Sequence, residues 1–401
     1  METSTTSRRP EPHAAQGSAL EWTQRLVAFD TTSRLSNLGL IETVRDHFAS
    51  RGLHPHLSYS TAGNKANLFV TVPAADGRTD GGLVLSGHTD VVPVDGQAWS
   101  SDPFKAEIRD GRLYGRGSCD MKGFIGTALA LLPQIQAARL REPVHYAMSY
   151  DEEIGCVGAP SMLSDLRERG LKPSGCIVGE PTSMRPIVAH KSINAYRCCV
   201  NGHAAHSSLT PRGLNAIEYA ARLICFIRDV ADEFKAKGPY DAAFDVPFTT
   251  AQTGTIAGGI ALNTIPAQCE FMFEFRSLPG LDPQRIFERI EAYANDVLLP
   301  QMRAEHAGAA LSFERIAAAP AFDAAEHEAI TQLVRALTRN LDVQKVAYGT
   351  EAGLFQAAGI PSVVCGPGDI EQAHKADEFV ALEQLEQCET FLRRAVDSLR
   401  V

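Results

Sequence analysis

The sequence lacks the features that would assign it to a membrane or secreted protein. None of its apolar runs is long enough to span a bilayer, and residues 1–17 have no apolar core of the kind found in secretory signals. Its nine cysteines include no C-x-x-C pair. We therefore predict a protein of the reducing cytoplasm that uses cysteines as small core residues, with residues 1–17 as a disordered tail.

The chain also has fewer positively than negatively charged residues. The chain has 38 Lys and Arg against 48 Asp and Glu, which gives a formal net charge of −10. This balance argues against nucleic acid and against an anionic membrane surface as partners. The surplus of carboxylates provides candidates for metal ligands, and a length of 401 residues predicts more than one domain.

Motifs for nucleotide binding and for a covalent nucleophile are absent as well. The segment GRLYGRGSCDMKG (111–123) lacks the third glycine of a dinucleotide loop and does not match a Walker loop. Asp120 in the same segment would repel a phosphate group. The chain has no G-x-S-x-G motif, and Cys119 has no evident base beside it. These absences disfavour a nucleotide-dependent enzyme and an enzyme with a serine or cysteine nucleophile.

A histidine and an aspartate follow an apolar strand in VLSGHTDVVP (84–93). His88 and Asp90 are separated by one residue, so their side chains lie on one face of an extended chain. The pair is compatible with a capped strand end in which histidine and aspartate are hydrogen-bonded. It is also compatible with a metal ligand supported by a carboxylate behind it. This motif alone leaves both interpretations open.

Strands alternate with helices in two stretches of the chain, which predicts a mostly parallel α/β sheet flanked by helices. We assign these stretches, residues 18–191 and 317–401, to one catalytic, metal-binding domain. Residues 192–316 between them have the pattern of a strand, a helix, two strands, a helix and a strand. This β-α-β-β-α-β order predicts an inserted ferredoxin-like unit.

Acidic and histidine residues follow several strands of the predicted sheet. Because the carboxyl ends of parallel strands meet at one edge, we expect a single cluster there, formed by His88, Asp90, Asp120, Glu152, Glu153, Glu180 and His374. Carboxylates brought together in this way repel one another unless cations lie between them. Nitrogen and oxygen donors suit zinc, with cobalt or manganese as substitutes, and two ions can share one bridging carboxylate.

The motifs of the chain resemble those of the co-catalytic di-zinc amidohydrolases, a family that includes aminoacylases, carboxypeptidases and succinyl-diaminopimelate desuccinylase. The likeness covers nearly the whole chain after the tail and rests on S-G-H-T-D-V-V-P, G-R-G-x-x-D-M-K-G, D-E-E-x-G, G-E-P-T and a late histidine. The resemblance implies two divalent ions bridged by Asp120, with the ligand set His88, Asp120, Glu153, Glu180 and His374. It also implies that Asp90 supports His88, and that Glu152 is the general base that activates a metal-bridging water.

The same resemblance implies that the inserted unit is a dimerisation or lid domain. His206 would reach the active site of the partner subunit in a homodimer as an oxyanion donor, although its own segment also fits an ordinary turn. Arg276 in FEFRSLPG (273–280) would bind the α-carboxylate of the substrate, with a buried ion pair as the alternative. Asn263 would hydrogen-bond the substrate or simply lie in a turn.

Within the family, several segments most resemble the branch that hydrolyses N2-acetyl-L-ornithine to L-ornithine and acetate in arginine biosynthesis. We therefore expect a metallo-amidohydrolase for this substrate, with Glu351 recognising its δ-ammonium group or, alternatively, complementing a helix dipole. Acetylcitrulline, succinyl-diaminopimelate and other N-acyl amino acids remain alternative substrates, although Leu354 stands where we expect arginine in a desuccinylase. A metal-free binding paralogue is the alternative from another class, but no ligand position has been lost.

Overall fold

The computed structural model describes residues 17–401 and contains two large sheets, each packed against helices, and a small third sheet. The predicted tail at residues 1–17 lies outside the described residues except for Gly17. Within residues 17–401, no helix combines the length and the apolar composition that a membrane span requires.

The helices and strands alternate over much of the chain, as expected for an α/β protein. The helices are α1 (Ala19–Val27), α2 (Leu38–Ser50), α3 (Gly123–Ala130), α4 (Leu132–Ala137), α5 (Ala159–Glu168), α6 (Ala216–Lys237), α7 (Pro283–Ala292), α8 (Leu299–Glu305), α9 (Ala329–Thr338), α10 (Ala352–Ala357) and α11 (Leu382–Asp397). The strands are β1 (His56–Tyr59), β2 (Ala66–Val72), β3 (Leu83–His88), β4 (Glu107–Arg109), β5 (Arg112–Tyr114), β6 (Val144–Ser149), β7 (Gly175–Pro181), β8 (Ile187–His190), β9 (Ile193–Asn201), β10 (Thr250–Gly258), β11 (Gln268–Arg276), β12 (Ala310–Ala319), β13 (Phe322–Asp323), β14 (Gln344–Val346), β15 (Ser362–Gly366) and β16 (Phe379–Ala381).

The central sheet has the strand order β1-β2-β6-β3-β7-β15-β8-β13, and β14 pairs with β8. Its middle strands β6, β3, β7 and β15 are parallel, whereas antiparallel pairs occur towards its edges. Every residue of β3, β6 and β7 is buried because helices cover both faces. The predicted α/β fold with a mostly parallel sheet flanked by helices is confirmed.

Two groups of helices bury the faces of the central sheet. Apolar side chains of α1, α2, α3, α9 and α11 form the core on one face, and those of α5 and α10 form the core on the other. Helix α1 begins at a capping box, in which the Ser18 hydroxyl accepts from the backbone N–H of Glu21 and the Glu21 carboxylate accepts from the backbone N–H of Ser18.

The second large sheet is antiparallel and has the strand order β10-β11-β9-β12. Its elements follow one another as β9, α6, β10, β11, α7 with α8, and β12, so the predicted β-α-β-β-α-β unit is confirmed. One face of the sheet packs against these helices, and Phe271, Phe273 and Phe275 of β11 contribute to that core. The domain boundaries at residues 192 and 316 stay a prediction, and β12 continues to Ala319.

The chain leaves the central sheet after β8 and returns to it at β13, the strand beside β8. His190 of β8 is the antiparallel partner of Phe322 in β13. Where the chain leaves, the hydroxyl oxygens of Ser192 and Ser277 are 2.6 Å apart, and the side-chain amide of Asn194 donates to Ser192 at 2.8 Å. Both ends of the inserted unit therefore meet the central sheet at neighbouring points.

The small sheet β16-β5-β4 is absent from the sequence-based prediction. It pairs β5, which precedes an irregular turn at Ser118–Lys122, with β16, which follows the loop that contains His374. The pairing of Tyr114 with Phe379 fixes these two loops relative to each other. It therefore helps to bring Asp120 close to His374.

Candidate metal centre

Three parallel strands place their polar residues at one edge of the central sheet. β3 ends at His88, which is level with Ser149 at the end of β6, and Glu180 lies near the end of β7. Glu152 follows β6 after Asp151, whose positive φ of 55° turns the chain at the edge of the sheet. The predicted convergence of these side chains therefore arises from strand register and from one turn.

His88 is enclosed by carboxylates. Its imidazole is 1% exposed, and its Nε2 lies 3.0 Å from Oδ1 of Asp120 and 3.9 Å from Oε1 of Glu180. Its Nδ1 lies 3.0 Å from the backbone carbonyl oxygen of Asp90. Because Nδ1 donates to this carbonyl, Nε2 is left as the nitrogen that is directed at the carboxylates.

His374 approaches the same carboxylates from the opposite side. Its Nε2 is 3.0 Å from Oε2 of Glu153 and 3.4 Å from Oδ2 of Asp120, and its side chain is 52% exposed. The two oxygens of Asp120 thus face two different histidines, since Oδ1 contacts His88. This arrangement is the one expected of a carboxylate that bridges two ligand groups.

Asp90 supports several parts of the cluster at once. Its carboxylate accepts hydrogen bonds from the backbone N–H groups of Glu152 at 3.0 Å and Glu153 at 3.2 Å, and from the hydroxyl of Ser33 at 2.7 Å. Its Oδ1 lies 3.5 Å from Nδ1 of His88. Asp90 therefore orients the segment that carries both glutamates and also contacts the histidine.

Glu378 positions the turn that carries Asp120, a role that the sequence analysis missed. Its Oε1 accepts from the backbone N–H groups of Cys119 and Asp120, both at 3.0 Å. Its Oε2 pairs with Nη1 of Arg116 at 2.6 Å, and both side chains are 1% exposed. This buried ion pair connects the loop after His374 to the turn, so the two predicted ligands share one support.

Burial and mutual repulsion shift the pKa values of the clustered groups. Burial raises the pKa of Glu153 to about 7, and the charge of Asp120 adds to this shift. The same two causes raise the pKa of Glu180 well above its usual range. Contacts with Asp120 and Glu153 raise the pKa of His374 to about 10. The crowded carboxylates therefore favour positive charge among them, which divalent cations at these atoms would supply.

The donor atoms of the cluster fit divalent metal ions. Ligand atoms of His88, Glu152 and Glu180 lie within 4.8 Å of one another, and so do those of His88, Asp120 and Glu153. Imidazole nitrogen together with carboxylate oxygen is a donor set that zinc accepts. Glu152 stands in the first group although the sequence analysis assigned it the role of general base. Its position is therefore compatible with either role.

A cavity of about 280 Å³ opens over this cluster and lies between the two large sheets. A larger cavity of about 690 Å³ borders the inserted sheet but contains no residue of the cluster, so size alone does not identify the site. The smaller cavity is lined from the cluster by Asp120, Glu152, Glu153, Glu180 and His374, and from elsewhere by residues that include Glu274, Arg276, Ala317, Tyr348 and Ile370. The predicted carboxylate-binding Arg276 therefore faces the same space as the predicted metal ligands.

Two predicted site residues lie on the surface of the inserted unit instead of in this cavity. His206 is exposed, and its Nδ1 accepts from the backbone N–H of Ser208 at 3.2 Å. Asn263 is also exposed, and its backbone carbonyl accepts from the N–H of Ser207 at 3.0 Å. The two residues are close to each other, but neither lines the cavity of its own chain.

Glu351 requires a correction to its predicted place at the border of the pocket. Its side chain is 1% exposed and does not line the cavity. Neither of its carboxylate oxygens has a hydrogen-bond partner among residues 17–401, and burial raises its pKa to about 7. The residue opens α10, which packs on the buried strands, so its side chain is held inside the domain behind the cavity lining.

Three residues of the site were not predicted from the sequence, and the sequence indicates them to different degrees. Glu274 lies two positions before Arg276 in a strand, so the alternation of β11 places both on one face. Tyr348 precedes Glu351 by a short turn, but its place in the cavity depends on contacts between distant segments. Glu378 follows His374 closely, yet only the paired loops show that it binds the Asp120 turn.

Comparisons with known proteins agree with this geometry. Residues 84–398 match Peptidase family M20/M25/M40. An acetylornithine deacetylase from Pasteurella multocida is 34% identical over 387 residues, which cover 94% of this chain and 97% of that protein. A tripeptidase from Staphylococcus aureus has a TM-score of 0.72 at 22% identity, covering 96% of this chain and 98% of that one. A dinuclear metal binding peptidase of the M20 family from Bacillus subtilis has a TM-score of 0.61 at 16% identity, covering 95% and 97%.

The similar proteins and the geometry of the site indicate the same kind of chemistry. The two solved structures share the fold, and the match to the family extends over most of the chain. The histidine and carboxylate cluster at the strand ends fits metal-dependent hydrolysis of an amide bond. The chain therefore belongs to the M20/M25/M40 peptidase family and is a metallo-amidohydrolase.

Proposed function

We propose that this enzyme hydrolyses N2-acetyl-L-ornithine to L-ornithine and acetate, as a step of arginine biosynthesis in the reducing cytoplasm. The observation that carries the proposal is the shared cavity, which joins Arg276 of the inserted unit to the carboxylates of the metal centre. An amino acid carboxylate held at Arg276 would leave an acyl amide directed at the cluster. The relative from Pasteurella multocida, 34% identical, is named for the same substrate.

We assign two divalent ions to the cluster, zinc by its donor set, with cobalt or manganese as substitutes. The ligands would be His88, Asp120, Glu153, Glu180 and His374, with Asp120 shared between the two ions. When bound, the ions supply Lewis acidity, which lowers the pKa of water and polarises the amide carbonyl. The buried carboxylates of Asp90 and Glu378 accept hydrogen bonds from the backbone of Glu153 and Asp120, and so position these two proposed ligands.

Glu152 is the proposed general base. It lines the cavity, and its backbone is fixed by Asp90, so its carboxylate stays beside the cluster. Burial raises the pKa of Glu152 well above its usual range, and the charges of Glu153 and Glu351 add to that shift while the charge of His88 opposes it. A carboxylate with a raised pKa is a stronger base and takes a proton from the attacking water more readily than an ordinary one, and it then holds that proton for transfer to the departing amine.

Arg276 is the proposed anchor for the substrate α-carboxylate. Its Nη2 contacts Oε2 of Glu274 at 3.1 Å, and this is its only side-chain hydrogen bond within residues 17–401. The planar guanidinium has five N–H donors and binds carboxylates through two of them at once. Most of its donors are therefore free for a substrate.

We also propose a homodimer formed through the inserted unit. Strand β10 is an edge strand with largely exposed residues. In the loop after it, Ile260 is 90% exposed and Leu262 is fully exposed. Apolar side chains beside an unpaired sheet edge favour association with another copy of the chain. His206 and Asn263 lie at this end of the unit, so they would serve the partner's active site as oxyanion donor and substrate contact.

A comparison of substrates tests the proposed function. The zinc-loaded enzyme would be assayed with acetylornithine, acetylcitrulline, succinyl-diaminopimelate and acetylmethionine, with metal content measured on the same preparation. We expect the highest kcat/KM for acetylornithine and no turnover after the metal has been removed by a chelator. A higher kcat/KM for another substrate would reassign the activity, and a protein that binds these amides without metal or turnover would be a binding paralogue.

A further inference from the structure

One acidic residue in the cavity stands apart from the metal centre. Glu274 and Arg276 lie on the same face of β11, because alternate residues of that strand are buried in the core of the inserted unit. Both side chains line the cavity over the cluster and are about one third exposed, 29% for Glu274 and 30% for Arg276. Glu274 belongs to neither of the ligand groups of the metal centre.

The contacts of Glu274 hold it beside the guanidinium without using its full capacity. Its Oε2 accepts from Nη2 of Arg276 at 3.1 Å, and its Oε1 accepts from the side-chain amide of Gln252 at 3.1 Å. A carboxylate offers about four acceptor positions. Glu274 therefore keeps acceptor positions for a donor group that enters the cavity from the substrate side.

The negative charge of Glu274 differs from the other charges around the cavity in how far it is offset. Two divalent ions would offset the acids of the metal centre, and a substrate α-carboxylate would offset Arg276. Arg276 is then shared between the substrate carboxylate and Glu274, so the charge of Glu274 is only partly offset. In a partly enclosed cavity such a charge attracts a cation and repels an anion more strongly than it would in open water.

We propose, building on the function proposed above, that Glu274 selects substrates by the charge of their side chain. Its carboxylate accepts hydrogen bonds from the side-chain ammonium group of an N-acyl diamino acid whose α-carboxylate is held by the adjacent Arg276. The same charge disfavours acyl amino acids with a second carboxylate. Glu351 does not fulfil this role because it is buried outside the cavity.

Three acetylated amino acids that differ in side-chain charge test the proposal on the metal-loaded enzyme. Glu274→Gln would be compared with wild type on acetylornithine, acetylmethionine and acetylglutamate. Relative to its effect on acetylmethionine, the substitution should lower kcat/KM for acetylornithine by about tenfold or more, the size expected for one charge-assisted hydrogen bond. Relative to the same reference, kcat/KM for acetylglutamate should rise.

Two further variants act as controls. Glu270→Gln removes the same charge from the same face of β11, but Glu270 pairs with Arg197 outside this cavity, so the ranking of the three substrates should not change. Glu274→Asp keeps the charge and should keep the preference for acetylornithine over acetylglutamate. Circular dichroism and the Tm of each variant show whether it is folded.

An equal fall of kcat/KM on all three substrates would overturn the proposal, because Glu274 would then act only by positioning Arg276. Unchanged ratios in Glu274→Gln would overturn it as well. The proposed function and the role of Glu274 are tested by different comparisons. If the wild-type enzyme prefers acetylmethionine to acetylornithine, acetylornithine is refuted as the substrate. In that case, the ratio of kcat/KM in Glu274→Gln to kcat/KM in wild type, compared across the three substrates, would still measure the effect of Glu274.

Discussion

Glu152 is the residue whose two roles are easiest to separate by substitution. Glu152→Gln should abolish turnover, by a factor on the order of 10³, because the amide cannot accept the proton of the attacking water. Both metal ions should remain bound, since a base that is not a ligand does not contribute to metal affinity. Steady-state kinetics and metal analysis on the same purified protein measure both effects.

Glu153→Gln is the matched comparison, because Glu153 is the neighbouring carboxylate and contacts His374 directly. It should lose metal as well as activity. Metal loss from Glu152→Gln would instead make Glu152 a ligand, which its proximity to His88 and Glu180 allows.

Glu351 should make the stability of the protein depend on pH. In the folded protein its pKa is raised from 4.5 to about 7 by burial, whereas the unfolded chain releases the proton near pH 4.5. The free energy of unfolding should therefore fall as pH rises from about 4.5 to 7, and remain lower above pH 7. Glu351→Gln removes this cost and should stabilise the protein at pH 8, by on the order of 3 kcal/mol relative to its effect at pH 4.5.

Urea unfolding at both pH values, in the presence of a chelator, measures this difference without metal loss contributing. The exposed Glu386→Gln should produce no such dependence. Equal effects of Glu351→Gln at the two pH values would show that folding does not shift the pKa of Glu351.

At the scale of elements, one buried ion pair joins the residues that adjoin the paired strands β5 and β16. Glu378→Gln leaves Arg116 as an unpaired buried charge, and this should lower the free energy of unfolding by about 3 kcal/mol. It also weakens the hydrogen bonds that hold the Asp120 turn, so zinc affinity should fall about tenfold or more.

Chemical unfolding and competition with a zinc chelator check the two effects separately. Glu389→Gln breaks the exposed pair with Arg393 on α11 and should cost less than about 1 kcal/mol without changing zinc affinity. A stable Glu378→Gln variant with unchanged zinc affinity would show that the turn holds its shape without this carboxylate.

Elements with continuous apolar sequences could be predicted well, whereas short ones could not. β3 and β7 are apolar runs that end in polar residues, and such runs mark buried parallel strands. The strands β4, β5 and β16 have three residues each and no alternation that separates them from a loop. They form because the chain around them brings Glu107–Tyr114 beside Phe379–Ala381, which is a contact between distant segments.

The cluster of histidine and carboxylate side chains could be predicted in large part because His88, Glu152 and Glu180 lie at the ends of recognisable strands. Asp120 lies instead in the turn after the short strand β5. The substrate side of the cavity could not be predicted, since Tyr348 and Glu274 meet it only through the relative position of two sheets. Glu351 was predicted to border the pocket, but its side chain is buried and does not line the cavity. Its position at the start of a helix is visible in the sequence, but whether the helix turns that residue inward depends on packing against β15 and β7.

At the scale of the whole molecule, His206 should act in the active site of the partner subunit. It is exposed and does not line the cavity of its own chain. Glu152→Gln and His206→Ala should each be nearly inactive as homodimers. After subunit exchange in an equal mixture, roughly a quarter of all sites would combine an intact Glu152 with an intact His206 from the other subunit.

Activity after mixing measures this complementation, and mass-tagged subunits confirm that exchange has occurred. Mixing either variant with itself is the control and should restore nothing. Verified heterodimers without recovered turnover would place His206 in its own subunit or outside the reaction.

The insertion between β8 and β13 also has a consequence for how the enzyme could be rebuilt. His190 and Phe322 face each other as neighbours in one sheet, so the pairing of β8 with β13 would remain if everything between them were replaced by a short turn. The replacement would nevertheless remove other contacts between the two units, because Lys345 pairs with Asp241 at 2.8 Å and Ala189 packs against Phe244 and Leu278.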